Sequence, residues 1–147
     1  MFVIAHNIRS LYNVGSILRN AAAFGIEKLY FTGYTAVPPR KEIAKVALGA
    51  EELVAWEYGD IVDVIAALRG NGFRVFGLET GGDTVPIDTL RGENIVLVLG
   101  NEVDGIDSET RALLDGIVEI PMSKKRSLNV AVASGVAMYI CTRSLAG

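Results

Sequence analysis

The chain has one cysteine, Cys141, so no internal disulfide can form, and a lone thiol suits the reducing cytoplasm, where it serves as a small buried apolar group. Histidine is equally scarce. His6 alone leaves almost no material for a histidine-based triad or a zinc cluster, and it reads as a strand-end residue without a role. No apolar run reaches 18 residues, which argues against a membrane span. The opening Met1-Phe-Val-Ile-Ala-His carries neither a basic leader nor a cleavage signature and reads as an immediate strand. A basic excess is missing as well. The formal net charge is −3, whereas a domain that holds nucleic acid non-specifically is usually basic. A nucleic-acid partner would therefore have to meet a local patch, with specificity from shape or from a second subunit. Neither a Gly-x-Gly-x-x-Gly after the first strand nor a Walker sequence is present, which disfavours ordinary dinucleotide or NTP binding. Glu102, Asp104 and Asp107 do not follow the calcium-loop spacing, so no metal is expected.

What is present is apolar. Half of the 147 residues are hydrophobic and 21% are charged, far from the disordered class. The length is that of one domain, residues 1–147, which buries roughly 68–70% of its unfolded surface. With a positive mean hydropathy and no membrane span, the surplus points to a well-filled core or a buried subunit interface.

Strand and helix patterns alternate along the chain. Phe2 to Ala5 is a first strand; Asn13 is a good N-cap type for a helix with Ile17, Leu18, Ala21 and Ala22 on its stripe, stopped by Gly25. Lys28 to Thr32 is the second strand, and the βαβ unit predicts a right-handed parallel crossover. Pro39 suits the first position of a short helix through Ile43, Val46, Ala47 and Ala50, followed by a short strand at Val54 to Trp56. Asp60 caps a helix ended by Gly70-Asn71-Gly72, and Phe73 to Leu78 is the next strand. Ile95 to Leu99 is an unbroken apolar run, as in a central parallel strand covered on both faces. A short helix from Asp107, a strand at Ile117 to Ile120 and a helix from about Ser127 to Arg143 complete an α/β domain with a parallel sheet.

Three segments carry candidate chemistry. In Asn13-Val-Gly-Ser-Ile-Leu-Arg19 a charge sits in an otherwise apolar helix, which implies a partner for Arg19; the plainer account is an N-cap and a solvated arginine. Gly100-Asn101-Glu102-Val103-Asp104-Gly105 follows the most buried strand, where glycine lets a backbone approach a ligand; otherwise it is a βα turn with an acidic helix start. In Ile120-Pro-Met-Ser-Lys-Lys-Arg-Ser-Leu-Asn129, the basic triplet Lys124-Lys125-Arg126 beside Ser127 and Asn129 could hold phosphate, or Ser127 could merely cap a helix. The helix beyond, Ala131 to Ile140, is small and apolar nearly all round, which suggests a subunit interface. Arg9, Arg19, Arg40, Lys41 and Lys45 are scattered elsewhere.

These segments, in this order, resemble the three motifs of the SpoU (TrmH-like) RNA 2′-O-ribose methyltransferases of the SPOUT class. Asn13 through Arg19 with Ala-Ala-Ala-Phe-Gly resembles the first, Leu99-Gly-Asn-Glu-Val-Asp-Gly-Ile the second, and Ile120-Pro-Met with Ser127-Leu-Asn-Val the third. The resemblance implies a parallel three-layer α/β sandwich with a C-terminal trefoil knot, a rare exception to the no-knot rule. It implies S-adenosyl-L-methionine bound along Leu78, Thr80, Gly100, Ile120, Met122 and Leu128. It implies catalytic-site roles for Asn13, Arg19, Glu102, Ser127 and Asn129, with Glu102 orienting Arg19. RNA contacts would come from Arg9, Arg19, Lys124, Lys125 and Arg126. A homodimer would pack the final helix and the first-motif helix against a partner, and tRNA is favoured over rRNA on minimal size. The third motif departs from the pattern: four residues without glycine, Ser123 to Arg126, stand where five including a glycine are expected, and Ala131 replaces a common serine. The implied reaction is attack of a ribose 2′-hydroxyl on the cofactor methyl. The resemblance implies Arg19 as the general base; a guanidinium rarely gives up its proton, which favours the alternative of a clamp on a phosphate or the developing alkoxide, its fork held by Glu102. The rival reading is a non-catalytic RNA-binding or assembly module; a flavodoxin-like small-molecule enzyme is more distant.

Overall fold

A computed structural model describes residues 1–146. Seven parallel strands form one sheet: β1 (Phe2–His6), β2 (Lys28–Thr32), β3 (Trp56–Gly59), β4 (Arg74–Leu78), β5 (Val85–Pro86), β6 (Ile95–Leu99) and β7 (Gly116–Glu119). Their spatial order is β3-β2-β1-β6-β4-β7-β5. Alternation along each strand sends side chains to two separate cores. Val3, Ala5, Leu29, Phe31, Ile95, Leu97 and Leu99 face one, shared with α1 (Leu11–Ala23), α2 (Lys41–Ala47) and α6 (Val130–Ala146). Ile4, Tyr30, Val96 and Val98 face the other, under α4 (Ile61–Gly70) and the segment around α5 (Ser108–Arg111); α3 is the short turn Ala50–Leu53. Helices therefore cover both faces, and the architecture is the expected three-layer α/β sandwich. All five residues of β6 are buried, as the unbroken apolar run requires.

Several local expectations need correction. Helix α1 opens at Leu11, not at Asn13: Ser10 is its N-cap, and the Asn13 N–H donates to Ser10 Oγ at 3.2 Å. The Asn13 side chain is thereby left available for the site. Helix α2 starts at Lys41 after Arg40, so Pro39 lies before the helix rather than in it. The third strand is Trp56–Gly59, two residues later than read, because β3 is an edge strand whose Glu57 and Tyr58 are exposed. Another edge strand, β5, has only Val85 and Pro86. Helix α6 begins at Val130, with Asn129 rather than Ser127 at its head: Asn129 Oδ1 accepts from the N–H groups of Ala131 (2.9 Å) and Val132 (3.3 Å). Asp60 does cap α4, accepting from Val62 and Asp63.

Close helix packing on one face depends on Gly15. A Cβ there would lie 2.6 Å from the Ile43 carbonyl oxygen, so α1 and α2 meet backbone to backbone. At the other end of α1, Asn20 Nδ2 donates to the Ala131 carbonyl (2.9 Å) and Ser134 Oγ (3.1 Å), tying α1 to α6. The two helices that carry the first and third motifs are thus one unit.

Candidate active site

Adjacent parallel strands β1 and β6 end side by side, with Ala5 in register with Leu99. The chain leaves β1 to start α1, whose first N–H groups lack intrahelical partners, and leaves β6 to make the 100–105 turn. Glu102 in that turn holds the backbone that leads into the helix, at Arg9 and at the N-cap Ser10. Its Oε1 accepts from the Arg9 N–H at 2.8 Å; its Oε2 accepts from the Ser10 N–H at 2.8 Å and from Asn13 Nδ2 at 3.0 Å. Burial would raise the Glu102 pKa, but these three donors outweigh it and hold the carboxyl below its usual range. The resemblance implied that Glu102 orients Arg19; within one chain the two are not in contact, and the Glu102 oxygens accept from Arg9, Ser10 and Asn13.

The turn itself is rigid. Asn101 Oδ1 accepts from the N–H groups of Val103 and Asp104, each at 2.8 Å, and the Asn101 and Gly105 backbones exchange hydrogen bonds of 3.1 and 3.0 Å. Asn101 Nδ2 reaches back to the Asn7 carbonyl at 3.0 Å. Gly100 is required by space: a Cβ would lie 2.7 Å from the Gly105 carbonyl carbon. From the β4 side, Glu79 Oε1 accepts the Ile106 N–H at 2.5 Å and lies 3.8 Å from Arg111. Asn101 lay in the second candidate segment without a role of its own, and Glu79 lay outside all three. The signal for Asn101 was its position two residues beyond the most buried strand; Glu79 follows Leu78 without any spacing cue.

The third motif completes the site. Asn129 Nδ2 donates to Asn13 Oδ1 at 3.3 Å, so Glu102, Asn13 and Asn129 form one hydrogen-bonded string across three chain segments. Beside it opens a cleft of about 330 Å³ at the carboxyl ends of β4, β6 and β7. Its lining includes all six residues expected at a cofactor, Leu78, Thr80, Gly100, Ile120, Met122 and Leu128, together with Glu79, Glu102, Ser127 and Asn129. A smaller hollow of about 160 Å³ shares Thr80, Ile120 and Met122 with it and is walled by Arg126, so the exposed triplet Lys124-Lys125-Arg126 flanks the cleft.

Arg19 is not brought to this place within one chain. Six residues beyond Asn13, it points about 120° away around the helix. It is exposed and makes no hydrogen bond or ion pair among the described residues, contrary to the expected partner. Its side of α1 also bears Tyr12, 55% exposed, while α6 shows Val132, Val136 and Tyr139 to solvent. Arg9 extends from the β1–α1 loop, also exposed. His6 is buried, with Nδ1 2.8 Å from Thr32 Oγ1 and Nε2 3.6 Å from Asp107; burial lowers its pKa despite that carboxylate. Among the described residues no group of three His, Cys, Asp or Glu side chains could hold a metal ion.

Residues 1–139 match the SpoU rRNA Methylase family. The 23S rRNA (guanosine-2′-O-)-methyltransferase RlmB of Xanthomonas axonopodis pv. citri (strain 306) is 31% identical over an alignment covering 100% of this chain and 60% of that protein. The AdoMet-bound rRNA methyltransferase from Sinorhizobium meliloti has a TM-score of 0.89 at 26% identity, over 97% of this chain and 55% of that one. A structure bearing on 2-OH methylation of C/U34 on tRNA has a TM-score of 0.88 at 28% identity, over 99% of this chain and 96% of that one. The chain thus spans only part of the length of the first two. The family match runs through all three loops that meet at the cleft, and on that ground the chain belongs to the SpoU rRNA Methylase family.

Proposed function

We propose that this chain transfers a methyl group from S-adenosyl-L-methionine to a ribose 2′-hydroxyl of RNA. The observation that carries the reading is the Glu102–Asn13–Asn129 string at the rim of a cleft built from three parallel strand ends. The cleft fits the cofactor. Its volume lies in the range of small-ligand sites, and its walls pair apolar Leu78, Ile120, Met122 and Leu128 with the carboxylates Glu79 and Glu102, suited to a cationic ligand. Strand-end backbone groups of Thr80, Gly100, Ile120, Met122 and Leu128 would hold it. When bound, it supplies an electrophilic methyl group on a sulfonium.

The residues divide the remaining work. Glu102 is a poor base, since its pKa is depressed and it already accepts three N–H groups; it fixes Asn13. Asn13 and Asn129 hold each other and, with Ser127, offer polar groups that orient the incoming ribose, the positioning part of catalysis. Arg19 acts on a phosphate or the developing alkoxide of the site in a partner subunit, as a permanently charged clamp. Arg9, Lys124, Lys125 and Arg126 take backbone phosphates. The exposed Tyr12, Val132, Val136 and Tyr139 on α1 and α6 support a homodimer through these helices. The interlaced order β6-β4-β7-β5, with β7 between two strands joined earlier in the chain, supports the trefoil knot. A match extending along both chains, to a protein concerned with tRNA, supports tRNA over rRNA. The lone buried thiol and the lack of any helix long and apolar enough to cross a membrane among the described residues accord with a cytoplasmic site of action.

Calorimetry with S-adenosyl-L-methionine, followed by transfer of labelled methyl to tRNA and rRNA fragments, tests the reading. Mapping 2′-O-methyl sites in cells with and without the protein would then locate the nucleotide. Absence of cofactor binding would overturn the proposal in favour of a non-catalytic RNA-binding module.

A further inference from the structure

Two tyrosines at the carboxyl edge of the sheet are exposed in an unusual way. Tyr34 is 60% and Tyr58 57% exposed. Surface tyrosines commonly keep the ring on the protein and send the hydroxyl to water. Here both hydroxyls are bonded inward. Tyr58 Oη donates to the Gly33 carbonyl at 2.6 Å, and Tyr34 Oη accepts from Asn101 Nδ2 at 2.6 Å. What these side chains offer to solvent is therefore ring surface.

Tyr34 is also held at its backbone. Its N–H donates to Asn7 Oδ1 at 3.1 Å, and Asn7 takes a left-handed φ of 55° to reach it. On one side Gly33 has a φ of 65°, where a Cβ would collide with the Asn7 amide. On the other side buried Thr35 accepts the Ile8 N–H at 3.0 Å. A ring clamped at its hydroxyl and on both flanks loses little further freedom when something stacks on it.

The location joins this ring to the cleft. Asn101, which holds the Tyr34 hydroxyl, lines the cleft and begins the turn that carries Glu102. The loop that receives Tyr34 at Asn7 continues to Arg9, whose N–H is bound by Glu102. Asn7, which holds the Tyr34 backbone, is itself braced: His6 Nε2 lies 3.3 Å from Asn7 Nδ2 and 3.6 Å from Asp107 Oδ1. The exposed Tyr34 ring is an uncharged π face on which a base can stack, while Arg9 farther along the same loop is placed to take phosphate.

We propose that Tyr34, clamped between Asn101 and Asn7, is the stacking platform for an unpaired RNA base beside the methylated ribose. The proposal rests on the RNA methyltransferase reading, and it adds a residue from outside the three motifs. Sequence-specific RNA recognition commonly splays bases onto aromatic side chains in this manner.

The test compares Tyr34→Ala and Tyr34→Phe in the full chain, with cofactor affinity and RNA affinity measured separately. Stacking predicts that Tyr34→Ala weakens RNA binding by roughly 5- to 150-fold, the range for loss of one base–aromatic stack. Cofactor affinity should stay unchanged, and Tyr34→Phe, which keeps the ring, should bind RNA nearly as the parent does. A substrate with 2-aminopurine next to the methylated nucleotide should be quenched by the parent and by Tyr34→Phe but not by Tyr34→Ala. Unchanged RNA affinity in Tyr34→Ala, with the parent methylating RNA, would overturn the platform and leave the activity standing. Equal loss of cofactor binding in both variants would also overturn it, by assigning Tyr34 to the support of Asn101. A parent chain that binds no cofactor and methylates no RNA would remove the activity and the platform together.

Discussion

Replacing Glu102 by glutamine tests the site at its anchor. The carboxylate accepts three N–H groups at 2.8, 2.8 and 3.0 Å. Glutamine keeps one acceptor oxygen and turns the other into an NH₂ that faces donors, so one or two of these bonds are lost. Hydrogen bonds to a charged group contribute about 1.5–3 kcal/mol net when buried. The half-exposed setting favours the lower end, and the lost negative charge at the start of α1 adds about 0.3–1 kcal/mol. The expected destabilisation is about 2–3 kcal/mol, a fall in Tm of roughly 4–12 °C for a domain of this size. The pH dependence follows from the depressed pKa. Its stabilisation is complete above the ordinary glutamate value of 4.5 and is lost as pH falls through the lower folded-state value. Urea denaturation of parent and variant at pH 7 and near pH 3 reads both quantities. The stability gap should be wide at pH 7 and narrow on acidification. A gap below about 0.5 kcal/mol at pH 7, the level of an ordinary surface change, or one that does not move with pH, would refute the anchoring role.

Arg19 makes no contact with Glu102, so the stability effects of Arg19→Lys and Glu102→Gln should add within about 0.5 kcal/mol in a double-mutant cycle. Arg19→Lys should also lower methyl transfer about tenfold or more with cofactor affinity intact, since lysine lacks the bidentate fork; near-native turnover would rule out the clamp. Val136→Glu sets a charge in the exposed apolar row of α6 and should shift the chain to monomer in sedimentation experiments. Burial pushes the Cys141 thiol up to about 11, so at pH 8 only about one molecule in a thousand carries the thiolate. Alkylation should be slow in the folded chain and become rapid only in denaturant; rapid labelling of folded protein would contradict the packing of α6.

The central strands were legible in the sequence because burial on both faces writes an uninterrupted apolar run, as in Ile95–Leu99. The edges were not. Trp56–Gly59 has no buried residue, with Glu57 and Tyr58 both exposed in succession, and Val85–Pro86 has too few residues for any pattern. Helix starts were misplaced where two cap-type residues compete. Asn13 and Ser127 each have the right chemistry, yet Ser10 and Asn129 lie where the backbone turns. The site residues themselves were legible as motifs, but their connections were not. That Glu102 serves Asn13 and the α1 start rather than Arg19 depends on β1 and β6 being neighbours, a pairing between residues more than ninety positions apart.

The string Glu102–Asn13–Asn129 has a consequence for biosynthesis. Its last link spans 116 positions, and Asn129 is fixed by the first turn of the helix that follows it. A nascent chain that has emerged only as far as β7 has its first two motifs in hand but no Asn129, no α6 to receive Asn20, and an open side to the cleft. Such an intermediate has nothing with which to close the site. Completion of the string then waits for α6 to dock, so on the proposed function a chain cut short before α6 should transfer no methyl group.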